Sequence, residues 1–249
     1  MNTPPVYINR KRHLVVSALL LIAMLLVQEY SGLDMRVQHL FYGADGWVVD
    51  YSEPVLRFAI YKLPRALLII YCAIVLLLLV LSVWVKRLAR FRTRGNVFIV
   101  LCLLLVPALI SAGKQETHAH CPHQYQEFGG PIPYVTLLEA NKTPHNGRCF
   151  PAGHASGGFA LLLFVMIAAT RRRQIAGFAA AMAVGWAMGG YQMLNGRHFL
   201  SHTLATMLIA WIIILIVHML LYGNRVIQAE THGSGGAGPA IHPQQSPLM

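Results

Sequence analysis

Six long apolar stretches occupy most of this 249-residue chain and restrict what it can fold into. They cover residues 14–30, 66–85, 97–112, 155–170, 176–193 and 203–222. A helix needs about 20 apolar residues to cross the hydrocarbon core of a bilayer, and a soluble core could not hide six such segments. Charged residues make up only 12% of the chain, against about 25% in a soluble domain. The sequence therefore predicts an all-α integral membrane bundle of about six transmembrane helices.

Basic residues predict the orientation of this bundle. Twelve of the 20 Lys and Arg residues lie in short segments on one side of the predicted spans. These are Arg10, Lys11, Arg12, Lys86, Arg87, Arg90, Arg92, Arg94, Arg171, Arg172, Arg173 and Arg225. Short loops rich in Lys and Arg stay in the cytoplasm, so both termini are expected there, in a multi-pass protein of the inner (cytoplasmic) membrane. No nucleic-acid partner is predicted, because the basic residues form no single patch with interleaved aromatic residues.

The histidines are concentrated on the other side of the membrane. Residues 1–225 are predicted to form a single transmembrane domain, and residues 226–249 lack any apolar pattern and are expected to be a disordered cytoplasmic tail. Seven of the 12 histidines fall in two outer segments, about 113–154 and 194–202. They are His118, His120, His123, His145, His154, His198 and His202. Ionisable residues near the ends of spanning helices tend to mark function, which predicts a site facing the periplasm or exterior.

Three clusters are expected at this outer face, at the end of the third span and the starts of the fourth and sixth. They contain Lys114 with Cys121-Pro122, then Pro151-Ala152-Gly153-His154, then Arg197-His198-Phe199-Leu200-Ser201-His202. Two histidines with basic partners suit phosphoryl transfer, because one can attack phosphorus while the other protonates the leaving oxygen. Cations neutralise the remaining oxygens, and a glycine before a helix start lets the backbone approach an anion closely.

In these clusters the chain resembles the type-2 phosphatidic acid phosphatase superfamily, which comprises membrane-bound, histidine-dependent lipid phosphatases. The family pattern is Lys-x6-Arg-Pro, then Pro-Ser-Gly-His, then Ser-Arg-x5-His-x3-Asp. Lys114 and Pro122 match the first motif with Cys121 in place of Arg, and Pro151-Ala152-Gly153-His154 matches the second with Ala for Ser. The resemblance rests on the order of the three motifs, on their spacing over about 114–202, and on their predicted location at the same face of the membrane.

The third motif is the most altered. His198 takes the nucleophile position, His202 stands in place of Asp, and Gln192 stands in place of Arg. Two arginines that should bind phosphate are therefore missing, at Cys121 and Gln192. Arg148, six residues before His154, and Arg197, beside the nucleophile, are the candidate replacements.

The resemblance implies a metal-independent phosphatase or phosphotransferase that forms a phosphohistidine intermediate and needs no cofactor. His198 would be the nucleophile, and His202, one helical turn further on, would hold its ring. His154 would be the general acid, while Lys114 and the backbone at Gly153 would bind phosphate. The expected substrate is a lipid phosphate at headgroup level, such as phosphatidate, phosphatidylglycerophosphate, a prenyl diphosphate or lipid A. The pattern leaves open which of these it is, whether water or another lipid is the acceptor, and the oligomeric state.

Two alternatives from other classes remain open. A zinc-binding membrane protein is one, because His pairs at i and i+4 bind zinc and the outer loop offers further ligands. These further ligands are His118, His120, Cys121, His123, His145 and Cys149. The other alternative is a catalytically inactive scaffold that binds lipid phosphate.

The four cysteines divide into two pairs. Cys72 and Cys102 lie inside predicted spans and are expected to be packing residues. Cys121 and Cys149 share the long outer loop, where an oxidising compartment permits a disulfide. Such a bond would tie the first motif to the second, and it predicts that Cys121 has a structural role where Arg is usual.

Overall fold

Seven helices make up most of the computed structural model, which describes residues 3–140 and 147–223. They are α1 (Arg10–Ser31), α2 (Leu33–His39), α3 (Pro54–Leu81), α4 (Arg94–Glu116), α5 (Gly153–Ile167), α6 (Arg171–Leu194) and α7 (Leu200–Tyr222). A small antiparallel hairpin of β1 (Tyr42–Gly43) and β2 (Gly46–Trp47) follows α2. Short 3-10 turns occupy Lys86–Phe91, Pro122–Gln124 and Gln126–Phe128. The predicted tail, 226–249, lies outside the described residues.

Four of these helices are long and apolar enough to cross a membrane, namely α1, α3, α4 and α7. The other two predicted spans also form helices, but α5 is a shorter apolar helix interrupted by turns. Helix α6 is 24 residues long, yet it is less apolar than the four because glycine and alanine fill its middle. Length and apolarity thus support four of the six predicted spans.

The long helices alternate in direction, so that their ends form two opposite faces of the bundle. Helices α4 and α6 begin at caps, where the hydroxyls of Thr93 and Thr170 each accept a hydrogen bond from the N–H three residues later. At this same end Arg10 of α1 donates to the carbonyl of Gly223, just beyond α7. The opposite face therefore collects the end of α4 and the starts of α5 and α7.

Helix α4 lies at the centre of the packing. Its residues Phe98, Val106 and Ile110 are almost fully buried, as are Phe159 of α5 and Ile214 of α7. Positions 98, 102, 106 and 110 repeat every four residues, which places them along one face of the helix. That face carries the core against which α5 and α7 pack.

Close contact between helices explains why α6 is rich in glycine. A Cβ atom added at Gly158 of α5 would lie 2.6 Å from the Cα of Gly185 in α6. A Cβ atom added at Gly185 would in turn lie 2.4 Å from the ring of Phe159. Small residues let two helix backbones approach in this way, as is common between membrane helices.

Helix α3 begins twelve residues earlier than the predicted second span. It starts at Pro54, where proline suits the first turn because its missing N–H would have no partner there. Residues Arg57–Lys62 then form a π-helical turn. The early start brings Arg57, Tyr61 and Arg65, which lie outside the predicted span, onto the first turns of the helix.

The close contact of α5 with α6 yields a stability prediction. We expect Gly158→Val to destabilise the protein by about 1–3 kcal/mol, because the added atoms overlap the backbone of α6. The matched control is Gly190→Ala in α6, since a Cβ atom at Gly190 meets nothing within 4 Å. Thermal unfolding in detergent should show a lower Tm for Gly158→Val and an unchanged Tm for Gly190→Ala. Equal Tm values for wild type and Gly158→Val would contradict the packing described.

Candidate active site

Three elements place the predicted motif residues at one end of the bundle. Lys114 lies in the last turn of α4, His154 in the first turn of α5, and His198 immediately before α7. The start of α5 is joined to α7 through a hydrogen bond from the N–H of Ala152 to the carbonyl of His202, 3.2 Å long. Residues that are up to 88 positions apart in the sequence therefore share one site.

The two histidines expected to perform the chemistry are in direct contact. Nδ1 of His154 lies 2.9 Å from Nε2 of His198, so one ring donates a hydrogen bond to the other. His198 is only 1% exposed, whereas His154 is half-buried at the edge of a cavity. The nucleophile candidate is thus shielded, and the acid candidate lies between it and the opening.

A disulfide lies on the far side of His198. Cys121 and Cys149 are bonded, with an S–S distance of 2.08 Å, and Sγ of Cys149 is 3.4 Å from Nδ1 of His198. His202 was expected to hold this ring, but it packs edge-to-face against it with centroids 5.8 Å apart. The disulfide sulfur and the backbone of Cys149 therefore both lie against the ring of the nucleophile candidate.

Asp34 anchors the start of α7 and was not identified from the sequence. This residue of α2 accepts hydrogen bonds from the backbone N–H and the hydroxyl of Ser201. A carboxylate suits the N-terminus of a helix, where free N–H groups and the helix dipole are positive. Burial raises the pKa of Asp34, although its bonds with Ser201 oppose that change. No local pattern pairs Asp34 with a helix that begins 166 residues later.

The phosphate-binding candidates do not all reach the site. The side chain of Lys114 passes close to Gly153, since a Cβ atom there would lie 3.9 Å from its Cδ. Arg197 is half-buried beside His198. Arg148 is exposed and is not among the residues that line the cavity.

Two arginines of α3 that the sequence analysis did not select lie near the motif residues: Arg65 lines the cavity, and Arg57 lies beside Arg197. The guanidinium of Arg57 stacks on the ring of Tyr51 at 4.5 Å, and Arg197 stacks on the same ring at 4.0 Å. Arg65 donates a hydrogen bond of 2.9 Å to the hydroxyl of Tyr61. Arg57, Tyr61 and Arg65 are spaced four residues apart in the sequence. This spacing places them on one face only if the segment is helical, and the structure shows that the helix starts at Pro54.

Burial and nearby cations shift the histidine equilibria. Burial lowers the pKa of His154, and the charges of nearby cations add to this effect, so that the pKa falls to about 4. These cations are Lys114, Arg197, Arg65 and Arg57. Burial also holds the pKa of His198 well below its usual range, as do His154, His202 and Lys114. His198 is therefore neutral near pH 7, which a nucleophilic imidazole requires.

A cavity of about 540 Å³ extends from these charged groups along the bundle. Its polar end is lined by Tyr61, Arg65, Lys114 and His154, and the rest is lined mainly by apolar residues of α3 and α4. It continues as far as Leu76 and Leu103. The cavity thus combines a cationic head region with a long apolar section, which suits an amphiphile with an anionic head.

The zinc alternative meets a chemical obstacle. Ligand atoms of Cys149, His198 and His202 lie within 4.8 Å of one another, but the sulfur of Cys149 is bonded to Cys121 and cannot act as a thiolate. His123 is not part of this grouping. His145 lies outside the described residues. The grouping is therefore a poor match for a structural zinc site.

Comparison with known proteins agrees with the motif assignment. The sequence model of the PAP2 superfamily matches residues 95–225, which include all three motifs. The lipid A 4'-phosphatase of Francisella tularensis subsp. novicida (strain U112) is 28% identical over 164 residues, or 63% of this chain and 72% of the relative. No solved structure matches. With the family match covering more than half of the chain and the motif histidines in contact, the chain belongs to the PAP2 superfamily.

Proposed function

We propose that this protein is a lipid phosphatase that removes phosphate from a membrane lipid through a phosphohistidine intermediate. The contact of His154 with His198, 2.9 Å long, at the cationic end of an apolar cavity carries the proposal. Family membership and the named activity of the Francisella relative support the same class of reaction.

In the proposed reaction, Nε2 of His198 attacks phosphorus and His154 protonates the leaving oxygen. The two rings are in contact, so an incoming phosphate must separate them to place phosphorus between the nucleophile and the acid. A phosphate dianion would also offset the cations that hold the pKa of His154 down. Its arrival would favour the protonated imidazole that the first step needs. Water then attacks the phosphohistidine, with His154 as the base, and cleavage of the bond between phosphorus and nitrogen releases inorganic phosphate and restores His198.

The proposed substrate is a lipid with a phosphate at headgroup level. The relative is named for the 4'-phosphate of lipid A, and a lipid A-type phosphate is therefore the first compound to test. The apolar part of the cavity could take an acyl chain while the phosphate meets Lys114. The chemistry uses protein groups alone, so the proposed activity is independent of added metal.

We also propose that all six predicted spans cross the inner membrane and that the site faces the periplasm. The start of α1 and the end of α7 lie at the same face of the bundle, which supports an even number of crossings. The basic residues gather at this face, opposite the histidines. A periplasmic site would also favour the disulfide, because that compartment is oxidising.

The first functional prediction concerns the histidines. His198→Ala should reduce phosphate release from a lipid phosphate panel by at least a thousandfold, and His154→Ala by at least a hundredfold, since both act in the chemical step. Release by the wild type should persist in EDTA. His39→Ala is the matched control, because His39 is exposed and does not line the cavity.

The same assay separates the alternatives. Loss of wild-type release in EDTA would favour a metal mechanism. Absence of release from every lipid, with retained phosphate binding, would favour an inactive scaffold. More than a tenth of wild-type activity in His198→Ala would exclude the nucleophilic role.

The second functional prediction concerns the disulfide. A phosphine reductant should lower wild-type activity at least tenfold, because the bond fixes the loop that positions His198, and loose positioning of reacting groups is costly. Its loss should also lower the stability by about 3–4 kcal/mol on the chain-entropy model. The double variant Cys121→Ser/Cys149→Ser should be weak and insensitive to reductant. Full activity of the double variant would show that the bond is dispensable.

The third functional prediction concerns sidedness. Ala44→Cys, in the exposed turn after β1, should react with a membrane-impermeant maleimide added to spheroplasts. Ala89→Cys, exposed in the link between α3 and α4, should react only after the membrane is opened. Wild type supplies the background, since Cys72 and Cys102 are buried. The reverse labelling pattern would place the site in the cytoplasm.

A further inference from the structure

The site must supply positive charge that its motifs have lost. Where the family pattern has arginines, this chain has Cys121 in a disulfide and Gln192, which is fully buried. A phosphate monoester carries a charge of about −1.5 to −2, and transfer of its phosphoryl group depends on cations around the equatorial oxygens. Lys114 and Arg197 alone leave this requirement only partly met, since two cations of the family pattern are gone.

Arg57 and Arg197 are held together on one aromatic ring. Their guanidinium carbons lie 4.5 and 4.0 Å from the ring centre of Tyr51. Like charges repel, and stacking on the tyrosine ring offsets part of that repulsion. Nε of Arg57 is buried and has no hydrogen-bond partner among the described residues. A buried donor without a partner is costly, and an anion would provide the missing acceptor.

Arg65 is tied to the acid candidate through a second tyrosine. Its guanidinium donates to the hydroxyl of Tyr61 at 2.9 Å, and the ring of Tyr61 packs against that of His154 with centroids 5.0 Å apart. Tyr61, Arg65 and His154 all line the polar end of the cavity. The charge of Arg65 therefore lies next to the position that a phosphate bound at His154 would occupy.

The π-helical turn aligns these side chains. In an α-helix, residues four apart drift by about 40° around the axis. The wider turn at Arg57–Lys62 rotates less per residue, so the step from Arg57 to Tyr61 offsets the drift from Tyr61 to Arg65. Such turns are frequent at functional sites, and here the turn keeps both arginines on the face that meets α5 and the loop before α7.

We propose that Arg57 and Arg65 bind the substrate phosphate in place of the two missing motif arginines, with Tyr51 and Tyr61 as positioning residues. This assignment deepens the proposed function and rests on the site taking a phosphate. Guanidinium groups suit the role, because their planar N–H groups match phosphate oxygens in pairs. Within the part of the chain that the structure describes, neither arginine is paired with a carboxylate, so both charges remain available to an anion.

The test measures anion binding directly and does not depend on turnover. Binding of orthovanadate, a phosphate analogue, is measured by titration calorimetry on the purified full-length protein in detergent. We expect Arg57→Gln and Arg65→Gln each to weaken binding at least tenfold, and the double variant to abolish it. Lys62→Gln is the matched control, because Lys62 carries the same charge and lies between the two arginines on the same helix. Unlike Arg57 it does not stack on Tyr51, and unlike Arg65 it does not line the cavity.

Conservative variants separate phosphate binding from a merely structural role. Arg57→Lys keeps the charge but loses the planar fork, so we expect it to bind orthovanadate more tightly than Arg57→Gln and less tightly than wild type. The Tm of each variant should stay within a few degrees of wild type. In the lipid assay, the arginine variants should raise KM and lower kcat.

Three outcomes would overturn the inference. If wild type binds orthovanadate and cleaves lipid phosphate while both Gln variants bind as well as wild type, the arginines are not ligands and the proposed function stands. If only Arg148→Gln weakens binding, the replacement charge comes from the loop before α5. If wild type neither binds orthovanadate nor releases phosphate, the proposed function fails and the inference fails with it.

Discussion

The hydrocarbon core of a bilayer offers no hydrogen-bond partner, and this constraint governs how the chain is built. Every backbone group inside it must be satisfied within the protein, which favours long apolar helices. Charged and reactive side chains are then confined to helix ends. Lys114, His154 and His198 all follow this rule. Lys114 lies in the last turn of α4, His154 in the first turn of α5, and His198 just before α7. The location of the site follows from the solvent properties of lipid.

Helix ends are less rigid than helix middles, and this site is secured by contacts from outside its own motifs. The disulfide between Cys121 and Cys149 holds the loop that follows α4 against His198. Asp34, from a short helix near the start of the chain, caps α7 through Ser201. These contacts fix the relative positions of the rings, and such precision is what phosphoryl transfer demands.

The proposed assignment of Arg57 and Arg65 would let the site keep its charge while its motifs change. Phosphate binding requires cations at suitable positions and does not depend on the element that carries them. Cys121 and Gln192 remove two cations from the positions where the family pattern expects them. The early start of α3 and its π-helical turn bring Arg57 and Arg65 to the same cluster.

The sequence by itself determined the helical class, the helix order and the gathering of Lys114, His154 and His198. These follow from apolar length and from residue types at helix ends, which are local properties. It also determined which two cysteines share the outer loop. Only the tertiary structure decided that a disulfide sulfur contacts His198 and that Asp34 caps α7. It alone also decided that Arg65 lines the cavity with His154, that Arg57 lies beside Arg197, and that Arg148 does not line the cavity. Each of these contacts joins segments far apart in the chain, and their positions depend on how whole helices pack, which no local pattern encodes.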